Sequence, residues 1–224
     1  MFKTLTDKTD IQIMSETIKT DGVFIVKNFI SGDLLQNLHD EVLNLCKEKG
    51  GNYEFGRNYR GPSLKQFKDD SFVKKVFNIS WLKKLNKEYR KTDKGYSSAI
   101  YATWDYKNDK GLARNGWLHF DRENCLKYFL YLTDIDKTNG ALHISPKSRK
   151  KGEELRKVAW NKNKNYGSVL NRIELDYPDL LEEYPDYPIE YPAGTLIVFD
   201  TDTFHKGGLC ETDKSRLIVR AHCK

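Results

Sequence analysis

Trp117-Leu118-His119-Phe120-Asp121 is the stretch on which the reading of this chain turns. Side chains alternate along an extended segment, so His119 and Asp121 point to one face while Leu118 and Phe120 point to the other. An imidazole and a carboxylate placed in this way need one more ligand to make a metal face. His205 is the candidate, in Phe199-Asp200-Thr201-Asp202-Thr203-Phe204-His205-Lys206-Gly207, just past the apolar run Thr195-Leu196-Ile197-Val198-Phe199. Two imidazoles and one carboxylate suit Fe(II) and leave coordination positions open for a co-substrate and O2. Eleven residues after His205, Arg216 opens the run Arg216-Leu217-Ile218-Val219-Arg220. From there its planar guanidinium is placed to grip a dicarboxylate with two parallel hydrogen bonds.

A His-x-Asp alone carries little weight. The ordered set of His-x-Asp, then a histidine behind a strand, then an arginine one strand further is much more specific. Around it the sequence alternates with period two. Ser98 to Tyr106 reads as a strand with Ile100, Ala102 and Trp104 opposite Tyr101 and Thr103, and residues 107–111 read as a turn. Further strands are expected from Leu126 to Thr133, from Leu142 to Ile144, and at about 195–199 and 216–222, with Pro146 to Lys151 turning outward.

The first ninety residues have a different pattern. Residues 1–20 read as a short amphipathic helix through Ile11, Ile13, Met14 and Ile18, followed by a strand from Val23 to Phe29. Ser31 is the expected N-cap of a helix over about 32–48, with Leu34, Leu35, Leu38, Val42 and Leu45 as its stripe and Gly50-Gly51 as its end. Residues 51–62 read as a loop by composition. Arg57 and Arg60 lie in it, as surface charge or as a wall facing a substrate. Helix returns over 69–90, burying Phe72, Val73, Val76, Phe77, Trp81, Leu82 and Leu85. Residues 151–190 are polar, with the pairs Tyr177-Pro178, Tyr184-Pro185 and Tyr187-Pro188, and read as a lid inserted between barrel strands. Helices first and short strands after argue a mainly β fold with flanking helices.

At 224 residues one domain is expected over 1–224, with helical support and one strand over 1–95 and the barrel over 96–224. The 38% hydrophobic and 31% charged residues fit a soluble globular chain, and no run approaches the ~18 apolar residues of a membrane span. The start, Met1 to Lys8, lacks an apolar signal core, and Cys46, Cys125, Cys210 and Cys223 show no C-x-x-C spacing. Free thiols and a cytoplasmic location are expected. The net charge of +6 is spread rather than gathered in a stripe, so neither nucleic acid nor membrane is an expected partner. The cluster Lys147-Ser148-Arg149-Lys150-Lys151, with Arg156 and Lys157 beyond it, reads first as solvated surface and second as a basic rim that draws an anionic substrate.

With these residues in place, the chain from about 21 to 222 resembles the phytanoyl-CoA dioxygenase-like branch of the Fe(II)/2-oxoglutarate-dependent oxygenases. Asp21-Gly22-Val23-Phe24-Ile25-Val26-Lys27-Asn28-Phe29-Ile30-Ser31 is similar to that family's N-terminal strand and helix entry. Asn139-Gly140-Ala141-Leu142-His143-Ile144-Ser145-Pro146-Lys147-Ser148-Arg149-Lys150 resembles its NG-L-hydrophobic-P-G-S-H-K segment, and Tyr191-Pro192-Ala193-Gly194-Thr195-Leu196-Ile197-Val198-Phe199-Asp200 its approach to the distal histidine. The resemblance implies a double-stranded β-helix, a jelly-roll, cupin-like barrel buttressed by the N-terminal helices. It implies His119, Asp121 and His205 as metal ligands and Arg216 as the holder of the distal carboxylate of 2-oxoglutarate. Tyr101 and Thr103, and likewise Phe129 and Tyr131, lie on strands expected to flank the iron, one of each pair facing in. Of these, Tyr101, Thr103 and Phe129 are the candidates for contact with the co-substrate.

The implied cofactors are Fe(II), 2-oxoglutarate and O2. The implied activity is hydroxylation of an unactivated C–H on a small polar or anionic molecule, with release of succinate and CO2. The alternatives are a non-catalytic jelly-roll binding protein, or the same type of oxygenase acting on a macromolecule. Relatives that halogenate have a small residue where this chain has Asp121, so halogenation is not expected. Lys147-Ser148-Arg149 departs from the family's Gly-Ser-His, which implies a differently shaped and more basic entrance. His143 and His222 are read as structural, His222 lying beyond the useful face of the last strand. Arg220 shares the face of Arg216 and either reaches the cavity or pairs with an acid.

Overall fold

Strand β11 (Arg216–Cys223) shows how the fold is assembled. Leu217, Val219, Ala221 and Cys223 on one face are buried in the largest apolar cluster, and Arg216, Ile218, Arg220 and His222 on the other line a cavity. The computed structural model describes residues 2–53, 56–61, 63–91, 98–107, 116–162 and 171–224. Of the turn expected at 107–111, residues 108–111 lie outside them.

In chain order the elements begin with β1 (Thr4–Leu5), α1 (Ile11–Asp21), β2 (Val23–Val26), α2 (Gly32–Lys49), β3 (Gly51–Tyr53) and β4 (Gly56–Arg60). A 3-10 turn at Leu64–Gln66 leads to α3 (Phe72–Phe77), α4 (Ser80–Arg90), β5 (Ser98–Asp105), β6 (Leu126–Tyr131) and β7 (Leu142–Ile144). Then follow α5 (Arg149–Lys162), α6 (Ile173–Asp176), α7 (Leu180–Glu183), β8 (Tyr187–Ile189), β9 (Leu196–Asp200), β10 (His205–Gly207) and β11.

The larger sheet runs β1-β2-β9-β6-β11-β5-β4-β3, antiparallel apart from the β1–β2 pair, and the smaller runs β10-β7-β8. Helices α1 to α4 cover the outer face of the larger sheet through Met14, Ile18, Leu38, Val42, Val73, Phe77, Leu82 and Leu85. Its inner face meets the smaller sheet across Ile25, Phe129, Tyr131, Leu142, Ile144, Ile197 and Ile218. The expected jelly-roll with N-terminal helical buttress is what the chain forms.

Two local expectations need correction. Residues 51–53 and 56–60 are paired strands, not a loop: β3 pairs with β4, β4 pairs with β5 from Gly56↔Asp105 to Arg60↔Tyr101, and this tertiary pairing overrides the Gly- and Asn-rich composition. The helical stripes are also narrower than expected. Ile13 and Leu34 are exposed, and the buried line of α2 is Leu38, Val42 and Cys46 at i, i+4, i+8. The described parts of 151–190 contain regular structure. They hold most of α5, together with α6, α7 and β8, and residues 163–170 of the expected lid lie outside the described residues.

The basic cluster at 147–151 does not form a rim either. None of its residues lines the cavity, and Arg149 is tied to the Lys19 carbonyl and to Glu153. Lys147 keeps the tight turn that a glycine permits, at φ 68° with its N–H donated to the Asp21 carbonyl at 2.9 Å. A left-handed non-glycine residue carries ~1–2 kcal/mol of strain, of which the greater chain entropy of glycine takes back ~0.5–1. Lys147→Gly is therefore expected to stabilise by up to ~1 kcal/mol. A melting temperature lower than wild type would refute that.

Candidate active site

Residues 118–120 lie beside β10 of the smaller sheet. His119 forms bridges to His205 of β10 on one side and to Arg172 on the other. Around it Ile173 donates its N–H to the Leu118 carbonyl at 2.7 Å, and Glu174 accepts from the Leu118 N–H at 2.7 Å. Glu174 also pairs with Lys206 at 2.9 Å, one residue from His205, so one carboxylate ties both ligand segments together. Leu118 and Phe120, the other face of the segment, are buried with Ile173 and Phe204. The alternation read from the sequence is thus realised: apolar residues behind, ligands in front.

The ligand atoms of His119, Asp121 and His205 lie within 4.8 Å of one another. Asp121 Oδ1 stands 3.7 Å from Nε2 of His119 and 3.5 Å from Nε2 of His205. Each ring is fixed from behind, as His119 Nδ1 donates to the Trp117 carbonyl at 2.7 Å and His205 Nδ1 to the Thr203 carbonyl at 2.8 Å. That turns Nε2 of both rings toward the carboxylate, the nitrogen a metal would take. Burial, reinforced by His205, pulls His119 down to about 3 and keeps it neutral. Burial would push Asp121 up, but Lys127 and then His205 outweigh it and hold the carboxyl well below its ordinary value. Two imidazoles with an ionised carboxylate are the donor set that fits Fe(II).

Lys127, on β6, was not singled out from the sequence. Its Nζ lies 2.7 Å from Asp121 Oδ2 and 3.3 Å from His205 Nε2. The pairing occupies Oδ2 and leaves Oδ1 as the oxygen turned toward the two histidines. The available signal was period two: Lys127, Phe129 and Tyr131 share the inner face of β6. For the same reason the expectation that only one of each aromatic or threonine pair faces in is corrected, since residues two apart on a strand point together. Tyr101, Thr103 and Phe129 all line the cavity, while Tyr131 lies deeper, its hydroxyl donating to the Ile189 carbonyl at 2.9 Å.

The acidic turn before His205 is the rigid part of the site. Asp121 donates its N–H to the Thr201 carbonyl at 2.9 Å. Asp200 accepts from Tyr89 at 2.6 Å and from Asn124 at 2.7 Å, and Arg156 grips Asp202 at 2.6 and 2.9 Å. Gly152 lets α5 approach this turn, because a Cβ there would stand 1.8 Å from the Asp202 carbonyl oxygen. Asp202 is buried, so Arg156→Leu would leave its carboxylate without the guanidinium and is expected to cost ~2–4 kcal/mol. A loss below ~0.5 kcal/mol by chemical denaturation would show the pair to be incidental.

Arg216 is buried at the inner end of the cavity, where its Nε and Nη2 lie 2.6 and 2.5 Å from Oδ2 of Asp105 and its Nη1 donates to the Gly140 carbonyl. Asp105 lies two residues from Thr103 on the same face and was legible by alternation. Burial raises its carboxyl against the pull of Arg216. Arg220 also faces the cavity, and so does His222, contrary to its reading as beyond the useful face. His222 stacks on Tyr101 with ring centroids 4.3 Å apart and accepts from Arg220 Nε at 3.2 Å. Burial, with Lys127 and Arg220 beside it, pulls His222 down to about 2, so it stays neutral. His143 pairs with Asp186 at 2.7 Å, away from the ligands. Arg60 lines the outer cavity, whereas Arg57 turns to Asn52 and the Lys47 carbonyl. The whole cavity measures about 620 Å³.

Among the described residues no helix is long and apolar enough to cross a membrane. No curated protein sequence matches this chain. Solved structures match its fold almost end to end. The epimerase SnoN, in complex with Fe3+, alpha ketoglutarate and nogalamycin RO, is 14% identical, with 95% of this chain and 82% of that chain covered and a TM-score of 0.67. The carbocyclase SnoK from nogalamycin biosynthesis is 10% identical over 97% of this chain and 84% of that one, with a TM-score of 0.66. AviO1 from Streptomyces viridochromogenes Tue57 is 14% identical, covering 96% and 95%, with a TM-score of 0.59. At these identities the likeness shows the fold. The sequence model of phytanoyl-CoA dioxygenase matches residues 105–218, just over half of the chain, and His119, Asp121, His205 and Arg216 all fall inside it. With that match and the His-Asp-His face, the chain belongs to the phytanoyl-CoA dioxygenase family and is an Fe(II)- and 2-oxoglutarate-dependent enzyme, with O2 as its oxidant.

Proposed function

We propose that this enzyme hydroxylates an unactivated C–H bond of a small polar or anionic organic molecule, turning 2-oxoglutarate and O2 into succinate and CO2. The observation that carries the reading is the convergence of two fixed imidazoles and one carboxylate oxygen on a cavity of about 620 Å³. That volume is in the range of small-molecule sites, with room for a co-substrate and a modest partner. Held by His119, Asp121 and His205, Fe(II) with 2-oxoglutarate supplies an oxidant strong enough to break a C–H bond.

The chain's own work is orientation and exclusion. The Trp117 and Thr203 carbonyls fix the histidine rings, and Lys127 restricts Asp121 to one facing oxygen. Phe129, Phe199 and Ile218 give part of the cavity an apolar wall. Arg216 is the proposed anchor of the distal carboxylate of 2-oxoglutarate, and Tyr101, Thr103 and Phe129 flank it. Asp121 keeps the third ligand position, which favours hydroxylation over halide transfer. SnoN is an epimerase and SnoK a carbocyclase, so a shared fold does not choose between outcomes of one hydrogen abstraction.

The test is anaerobic loading with Fe(II) and 2-oxoglutarate, followed by O2 and quantification of succinate. Candidate acids and polar metabolites are then screened for a product heavier by one oxygen atom. Iron-dependent succinate is the expected result. Its absence with correctly loaded protein would overturn the oxygenase reading. A product of unchanged mass, or one lighter by two hydrogens, would keep the enzyme but replace hydroxylation.

A further inference from the structure

Apart from the exposed Arg60, the charged groups facing the cavity pair off among the described residues, with one exception. Lys127 lies against Asp121 and Arg216 against Asp105, each pair cancelling. His222 is held neutral. Arg220, on the cavity face of β11 between Ile218 and His222, has no acid within ion-pair distance among the described residues. Its Nη1 donates to Thr103 Oγ1 at 2.8 Å and its Nε to His222 Nε2 at 3.2 Å, while its Nη2 has no hydrogen-bond partner among the described residues. The rings of Tyr101 and Phe129 lie 5.5 and 5.9 Å from its guanidinium carbon. Burial and the neighbouring Arg216 pull it down to about 10, still a cation at neutral pH.

This arrangement costs free energy unless something completes it. A desolvated guanidinium flanked by rings gains part of its stabilisation from cation–π contact, but its outward N–H groups need acceptors. The iron and co-substrate do not supply the missing charge, because Fe(II) brings two positive charges and 2-oxoglutarate two negative ones. With both bound, the positive charge of Arg220 is still unmatched. Arg60, exposed at the outer edge, adds attraction of the same sign.

We propose that Arg220 is the anchor for the substrate's own anionic group, a single carboxylate held by the free edge of the guanidinium. The substrate class is then an organic monocarboxylate, seated with its acid on the Nη2 side of the guanidinium and with the rest of the molecule toward the His-Asp-His face. Thr103 and His222 fix the guanidinium on the side away from the ligand, so its plane is set before the substrate arrives. Arg220 and Arg216 divide the work: one selects the substrate, the other the co-substrate. This inference rests on reading the cavity as a hydroxylation site for small molecules.

The experiment uses protein loaded with Mn(II) and 2-oxoglutarate, which does not turn over, and two probes of equal shape, butyrate and butyramide. Proton relaxation of each probe near Mn(II) reports both affinity and location. Wild type is expected to bind butyrate at least roughly tenfold more tightly than butyramide, as hydrogen bonds to a charged group imply. Arg220→Gln should remove that preference, and Arg220→Lys should restore part of it, each variant being checked for its melting transition. Equal binding of the two probes by wild type, or a preference that survives in Arg220→Gln, overturns the anchor. So does a loss of 2-oxoglutarate binding in Arg220→Gln with the butyrate preference intact, which would assign Arg220 to the co-substrate. If Arg220→Gln does not fold, the wild-type comparison of the two probes still decides. Succinate formation by wild type, measured separately, keeps the outcomes apart. Succinate without a butyrate preference removes only the anchor, and a butyrate preference without succinate removes only the hydroxylase reading.

Discussion

His119→Ala, Asp121→Asn and His205→Ala should each reduce iron-dependent succinate formation to the level seen without added iron, while the proteins remain folded. The two histidines face a cavity rather than a packed core, so their truncation creates little new void. Behind them the apolar residues Leu118, Phe120, Ile173 and Phe204 are untouched. Asparagine is the right replacement at Asp121, because alanine would leave Lys127 Nζ without the oxygen it holds at 2.7 Å. A buried ammonium stripped of its partner costs ~3–5 kcal/mol, which would confuse a lost ligand with a lost fold. Asp121→Asn keeps an oxygen for Lys127 and removes the negative charge that Fe(II) requires. Metal content by elemental analysis, read beside the melting curve, separates the two effects. Succinate formation at the wild-type rate by any one variant would take that residue out of the metal face.

Much of the site was legible because strands have period two and the relevant residues obey it. His119 with Asp121, Tyr101 with Thr103, and Arg216 with Arg220 all fall where alternation puts them. The same rule, applied further, reaches Lys127 from Phe129, Asp105 from Thr103, and His222 from Arg220. Those three were missed or misplaced because a lysine or an aspartate inside a barrel is expensive alone and reads as surface until its partner is known. The partners, Asp121 for Lys127 and Arg216 for Asp105, come from other strands, and pairing across strands is not visible in one segment. The paired strands at 51–53 and 56–60 escaped for a related reason. Their glycines and polar residues carry little strand preference, and β5 supplies the pairing that makes them strand. The basic run at 147–151 was misplaced because charge shows exposure but not direction, and Arg149 turns toward α1.

Arg216→Lys is expected to weaken 2-oxoglutarate binding at least roughly thirtyfold, corresponding to ~2 kcal/mol or more for a disrupted desolvated charge pair. Lysine keeps a positive charge near Asp105 and so keeps the fold, but a point charge cannot reproduce a two-pronged grip. Arg216→Ala should lose at least as much affinity and should also be destabilised, since it takes the guanidinium from a buried carboxylate that burial already pushes up. Asp105 complicates the site in a testable way. It occupies the Nε–Nη2 edge of Arg216, the edge best shaped for a second carboxylate, while Gly140 takes Nη1. An incoming 2-oxoglutarate must therefore share or displace Asp105. Asp105→Asn removes the competing charge, and tighter 2-oxoglutarate binding is the expected result. Titration calorimetry on Mn(II)-loaded protein measures all three variants without turnover. Weaker binding in Asp105→Asn would make Asp105 a support for the guanidinium rather than its competitor. Unchanged affinity in both Arg216 variants would end the assignment and pass the co-substrate to Arg220, the cavity's other guanidinium on the same face of β11.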